Sequence, residues 1–153
     1  MKSKTILFLV TAFFTAVASL SAKDLVNTGL FSNVALKGHD PVAFFTESAA
    51  VKGKKSITAD YQGATYRFST EEHRRLFEVD PERYAPAFGG YCAYAVGAKN
   101  SLVGVDIDTW QIVDGRLILN YNEDVKRMFN ADLARLLAEA DNNWPGLVAA
   151  KGK

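Results

Sequence analysis

One cysteine and two histidines are the residues of this chain best suited to hold a metal or attack a substrate. Cys92 stands in FGGYCAYAVG (88–97), between two tyrosines and after Gly89-Gly90. Three roles are open to it. The glycine pair lets main-chain N–H groups approach and stabilise a thiolate, the form that ligates metals and attacks electrophiles. An unpaired cysteine is equally at home as a small buried hydrophobe, and CAYAV is apolar enough to bury it. His73 precedes Leu76 and Phe77 by three and four residues, which puts its ring on or beside the buried face of a helix. His39 precedes Asp40-Pro41 at a helix start, a position suited to surface or capping roles. His73, Cys92 and His39 are therefore the candidate metal ligands. None is spaced from another as on one helix face, so the fold must bring them together.

Other chemistry is poorly represented. The chain has no glycine-rich phosphate loop after a strand, no HExxH, no CxxC and no GxSxG. Glu71, Glu72, Glu123 and Asp124 fall in first turns of expected helices, where they suit the helix dipole without a catalytic role. Tyr66, Phe68, Tyr84, Phe88, Tyr91 and Tyr94 supply either core or the walls of an apolar ligand pocket. Cys92 as nucleophile with His73 or His39 as base would make an enzyme, but no spacing supports that reading, and a non-enzymatic role is expected.

The N-terminus reads as a leader. Lys2 and Lys4 precede a short apolar run from Ile6 to Val17, then small residues offer cleavage between Ala18 and Ala22. This is the layout of a secretory signal peptide over 1–22, too short for a comfortable membrane span. A periplasmic or secreted protein follows. The full chain carries 18 basic and 17 acidic residues; without 1–22 it carries 16 and 17. Such balance gives no basic stripe for nucleic acid. A single cysteine cannot form an internal disulfide, so a hydrophobic core must hold the domain, 23–150, together.

The elements repeat. SITADY, a Gln62-Gly63 turn and ATYRFS predict a hairpin. Ser69 and Glu72 form a capping-box pattern that starts a helix through Phe77, ending near Asp80-Pro81 before a short turn to Tyr84. Later, TWQIV, Asp114-Gly115 and RLILN predict a second hairpin, and Asn122-Glu123-Asp124 a second helix. Aligning 61–77 with 113–129 pairs Gly63 with Gly115, Glu71 with Glu123, Arg75 with Arg127 and Phe77 with Phe129; His73 meets Val125. Asp40-Pro41 predicts a short helix through Phe45, and FSNVALKG a short strand. Leu133, Leu136, Leu137 and Ala140 line one face of a last helix ending near Asn142-Asn143, with a frayed tail beyond. The expected fold is α+β: small antiparallel hairpins covered by helices, in halves of about 56–97 and 108–143.

HDPVAFF (39–45) and YRFSTEEHRRLFEVDPERYAPAFGGYCAYAV (66–96) resemble the YHS domain family, in particular its secreted single-domain members. The resemblance covers about residues 34–97 and implies a small domain related to treble-clef-like metal modules. It also implies metal binding, with copper as the cofactor it suggests; two or three nitrogen and sulfur donors from His73, Cys92 and His39 would suit Cu(I) or Zn(II). Metal-linked members place cysteines where this chain has Ala43, Ser69 and His73, so the ligand set is depleted. The scaffold residues Asp40, Pro41, Val42, Tyr66, Phe68, Phe77, Pro81 and Tyr84 match. The alternative reading is a metal-free module for a small apolar ligand or a protein.

Overall fold

The computed structural model describes residues 25–152; the leader expected over 1–22 lies outside that range. Within it the chain is α+β, with two two-stranded antiparallel sheets. Strands β1 (Lys54–Tyr61) and β2 (Ala64–Phe68) form the first hairpin, and β3 (Asp106–Val113) and β4 (Arg116–Asn120) the second. Helix α1 (Ala43–Thr46) precedes the first hairpin, and α2 (Glu71–Val79) and α3 (Pro81–Tyr84) follow it. Helix α4 (Ala93–Lys99) precedes the second, and α5 (Glu123–Ala131) and α6 (Leu133–Lys151) follow.

The two halves superimpose in sequence at an offset of 52, as Gly63 and Gly115 suggest. The bounds of β1, β2 and α2 become those of β3, β4 and α5. Thr70 caps α2 by accepting from His73 N–H, and Asn122 caps α5 by accepting from Val125 N–H. Asp40 N–H donates to Val51 O at 2.8 Å, and Cys92 N–H to Val103 O at 3.0 Å. Isolated parallel bridges join Val34 to Thr65 and Pro86 to Leu117. All twelve residues with positive φ among the described residues pair at this offset, including Leu36 (51°) with Phe88 (53°) and Ser48 (52°) with Asn100 (45°). Gln62-Gly63 and Asp114-Gly115 both have positive φ at the two central positions, the type I′ turn that matches strand twist. Left-handed backbone here belongs to the shared architecture, not to one site. The repeat units run 34–84 and 86–136, so Cys92 and α4 open the second unit instead of closing the first.

Strand β4 forms the wall between two cores. Leu117 and Leu119 face one, with Phe44, Tyr66, Phe68 and Phe77; Ile118 faces the other, with Phe88, Val96, Phe129 and Leu136. That alternation is the period-two pleat with both faces buried. Phe77 sits 4.9 Å from the ring of Tyr66 and 5.2 Å from that of Phe68. Helices α4 and α6 cross at Gly97, where a Cβ would lie 2.4 Å from Leu136 O.

Four local expectations change. FSNVALKG forms isolated bridges and a 3-10 turn at Leu36–Gly38, since its positive φ values break any strand. The α2 cap is Thr70, one residue after Ser69, whose hydroxyl is engaged elsewhere. Helix α6 runs through Pro145 to Lys151. Asn143 Nδ2 donates to Val96 O and Gly97 O, and Trp144 packs on Phe88 and Tyr91; these contacts hold the last turns against the loss of one helical bond at proline. The tail is helical, not frayed, as far as Lys151. No helix of the described residues is long and apolar enough to cross a membrane.

Candidate functional site

Among the described residues Asp40 accepts five hydrogen bonds through its side chain, which is fully buried. Pro41 turns the chain so that the carboxylate folds back over the start of α1. There Oδ1 accepts from Val42 N–H at 2.9 Å and Ala43 N–H at 3.4 Å. Oδ2 accepts from Ser69 N–H, Ser69 Oγ–H and His73 Nδ1–H, each at 2.7 Å. Five donors thus replace the water that the carboxylate loses on burial, which is the condition for keeping a buried polar group. The hub ties α1, the end of β2 and the first turn of α2 together.

The same contact orients His73. A carboxylate only accepts, so Nδ1 carries the proton and a neutral ring presents the lone pair of Nε2. The His73 side chain is 12% exposed, and its Nε2 lies 3.6 Å from Glu47 Oε1 and 3.4 Å from Thr46 Oγ1. Thr46 Oγ–H donates to Val42 O, so this hydroxyl is not poised to attack a substrate. Ser69 lies on the Nδ1 side of the ring, at 3.4 Å, with its proton committed to Asp40. Asp40, His73 and a hydroxyl therefore meet without forming a nucleophile–base pair.

The three sequence candidates do not converge. Among the described residues no group of three or more His, Cys, Asp or Glu is placed to hold a metal ion. His39 Nδ1 approaches Leu36 O at 3.0 Å. Burial, reinforced by Lys52 and Lys37, pushes the His39 pKa below its ordinary value against the opposing pull of Leu36 O and Asp108. Cys92 is buried at the start of α4, with Sγ 3.8 Å from Asn120 Oδ1. Its place in the repeat is that of Asp40, and Val125 holds the place of His73. Asn120 Oδ1 accepts from Tyr94 N–H, doing for α4 what Asp40 Oδ1 does for α1 through Val42 N–H. Cys92 thus occupies the apolar version of the Asp40 site.

Of the six aromatics expected to line a pocket or fill the core, Tyr66, Phe68, Tyr84 and Phe88 are buried core. Burial raises the pKa of Tyr66 well above its ordinary value, with Tyr61 adding to it. Tyr94 packs between both cores, and Tyr91 borders an open groove. The residues that sequence reasoning missed are Asp40 as the hub and Glu47 as the carboxylate facing Nε2. The repeat carries a signal for the first: Asp40, Ser69 and His73 all differ in kind from Cys92, Tyr121 and Val125.

Comparison of the chain with known protein families, curated proteins and solved structures finds no match.

Proposed function

We propose that this is an exported, non-enzymatic binding module of the YHS type. It takes a divalent cation weakly at His73 Nε2, with Glu47 as second donor and Asp40 behind the imidazole. The observation that carries the reading is the 2.7 Å Asp40–His73 contact, which fixes the tautomer and aims Nε2 at a carboxylate. Carboxylate-backed imidazole is the usual outer-shell arrangement for a metal-binding histidine. Donors 3.6 Å apart can both reach a cation at about 2.1 Å.

The soft-metal version of the site does not fit. Ala43 and Ser69 supply no thiolate, and Cys92 is enclosed beside Asn120. Nitrogen and oxygen donors suit Zn(II) or Cu(II) better than Cu(I). Two protein donors leave the remaining positions to water or to an incoming ligand. Protons compete for the same lone pair, so affinity falls at acid pH.

The test is calorimetric titration of Zn(II) and Cu(II) into wild type, His73→Ala, Glu47→Gln and Cys92→Ala. Protein purified after export serves for this, with its N-terminus sequenced to show a start between Ser19 and Lys23. One weak site should be lost in His73→Ala, weakened about tenfold or more in Glu47→Gln, and unchanged in Cys92→Ala. Binding that survives His73→Ala refutes the assignment. A wild type that binds neither ion leaves the metal-free binding module as the reading.

A further inference from the structure

The near-neutral total charge of the chain conceals a local excess. Lys37, Lys52, Lys54, Lys55 and Arg67 gather at the open end of the first hairpin, and the four lysines are exposed. Backbone pairing brings them together. His39 bridges Lys52, Gly53 N–H donates to Gly38 O at 2.9 Å, and Lys54 pairs with Phe68, next to Arg67. Arg67 lies against both glycines: a Cβ on Gly53 would stand 2.6 Å from its Cβ, and one on Gly38 3.4 Å from its Nη1. The lack of side chains at 38 and 53 lets the arginine lie beside both lysine-bearing segments.

Among the described residues none of the five forms an ion pair, whereas Arg74, Arg116, Lys126, Arg127 and Arg135 all do. Lys37 and Lys52 donate to main-chain carbonyls, Val105 O at 2.6 Å and Lys37 O at 3.0 Å, which leaves their charges uncompensated. Burial lowers the pKa of His39, and Lys52 and Lys37 add to that shift, so both charges reach one ring; Asp108 opposes them. Asp106 and Asp108, just after Val105, border the cluster, so five positive charges against two negative leave a local net of +3. Like charges held close repel one another. The fold does not require them: at offset 52 their places are taken by Gly89, Gly104, Asp106, Ile107 and Leu119. The second unit builds the same hairpin without one of these cations, so the counter-charge is to be sought outside the chain.

We infer that this end of the hairpin docks on an anionic lipid surface, the four lysines and Arg67 facing its phosphate headgroups. Four of the five cations are lysines, hydrated point charges on flexible stems, and 46–60 contains no Phe, Tyr or Trp. Nucleic-acid recognition favours planar guanidinium and aromatic stacking. A field of mobile headgroups asks for positive charge within a Debye length. The experiment is flotation of the exported protein with vesicles of phosphatidylcholine, alone or with about one-third phosphatidylglycerol, in about 50 mM and about 500 mM salt. Wild type should float with the anionic vesicles at low salt, not with the neutral ones, and be released at high salt. Each cation near such a surface is worth about fivefold in partition, so Lys52→Gln/Lys54→Gln/Lys55→Gln together should weaken binding about a hundredfold. That variant gives up one hydrogen bond, from Lys52 to Lys37 O, and circular dichroism checks its fold. Arg75→Gln/Lys99→Gln/Lys151→Gln removes the same charge from outside the cluster and should bind within a few-fold of wild type. The surface is independent of the cation site, so His73→Ala should float as wild type does. A wild type that ignores anionic vesicles overturns the inference, as does equal weakening in the two triple variants, which would make the effect one of total charge. Equally tight binding of a short DNA duplex through the same lysines overturns it in favour of a nucleic acid.

Discussion

Replacing Asp40 by alanine tests the claim that one carboxylate ties α1, β2 and α2 together. The substitution deletes the acceptor for five donors, of which the N–H groups of Val42 and Ser69 are main-chain groups with no alternative partner in the structure. Each buried donor left unmet costs about 1–3 kcal/mol. His73 and the Ser69 hydroxyl recover part of their loss by turning to water, and removing the buried charge returns its desolvation cost. With the main-chain N–H groups of Val42 and Ser69 left unmet, the sum is about 3–5 kcal/mol. Against a total stability of about 5–15 kcal/mol, that is a large fraction. In urea, where a domain of this size has an m-value of about 2 kcal/mol/M, the midpoint should fall by about 2 M with m unchanged. Asp40→Asn, which keeps one acceptor oxygen and the shape, should lose less. A loss below about 1 kcal/mol in Asp40→Ala at unchanged m would refute the hub.

Two further outcomes follow from the other candidate ligands. Because burial lowers the His39 pKa, the unfolded chain binds a proton at about 6.5 while the folded chain still resists it. Stability from this residue is therefore complete above that pH and is lost as pH falls below it; His39→Gln should flatten that part of a pH–urea profile, and an unchanged profile counts against the lowered pKa of half-buried His39. Cys92, 1% exposed, should react with a thiol reagent far more slowly in native protein than in urea, and fast native labelling would show that α4 opens readily.

Much of the fold could be read from turn and cap chemistry. Gln62-Gly63 and Asp114-Gly115 fix both hairpins because few residues accept positive φ at two successive positions. Asn122 marks α5 because its side chain has one N–H to reach three residues on. Ser69 misled the reading for a physical reason. It has the same local chemistry as Thr70, and only a residue 29 positions away, Asp40, decides which hydroxyl caps the helix. The site was hidden likewise: Asp40 reads locally as a helix start, which it is, and nothing local shows that its second oxygen reaches His73. The expected end of α6 near Asn142-Asn143 falls short because the bonds that hold its last turns, from Asn143 to Val96 and Gly97, span 47 and 46 positions.

The repeat at offset 52 also gives the chain an internal control on its own polar site. Both copies must satisfy the first N–H groups of the short helix that opens each unit. The first does so from the adjoining loop, through Asp40 to Val42; the second does so from the strand, through Asn120 to Tyr94. The frame therefore demands an acceptor but does not dictate where it comes from; His73 has no polar counterpart, and that of Ser69 is the exposed Tyr121. Architecture and chemistry are separable here. Substitution at positions 69 and 73 can retune what the molecule holds, while the second copy, built on Cys92 and Val125, shows that the scaffold stands without them.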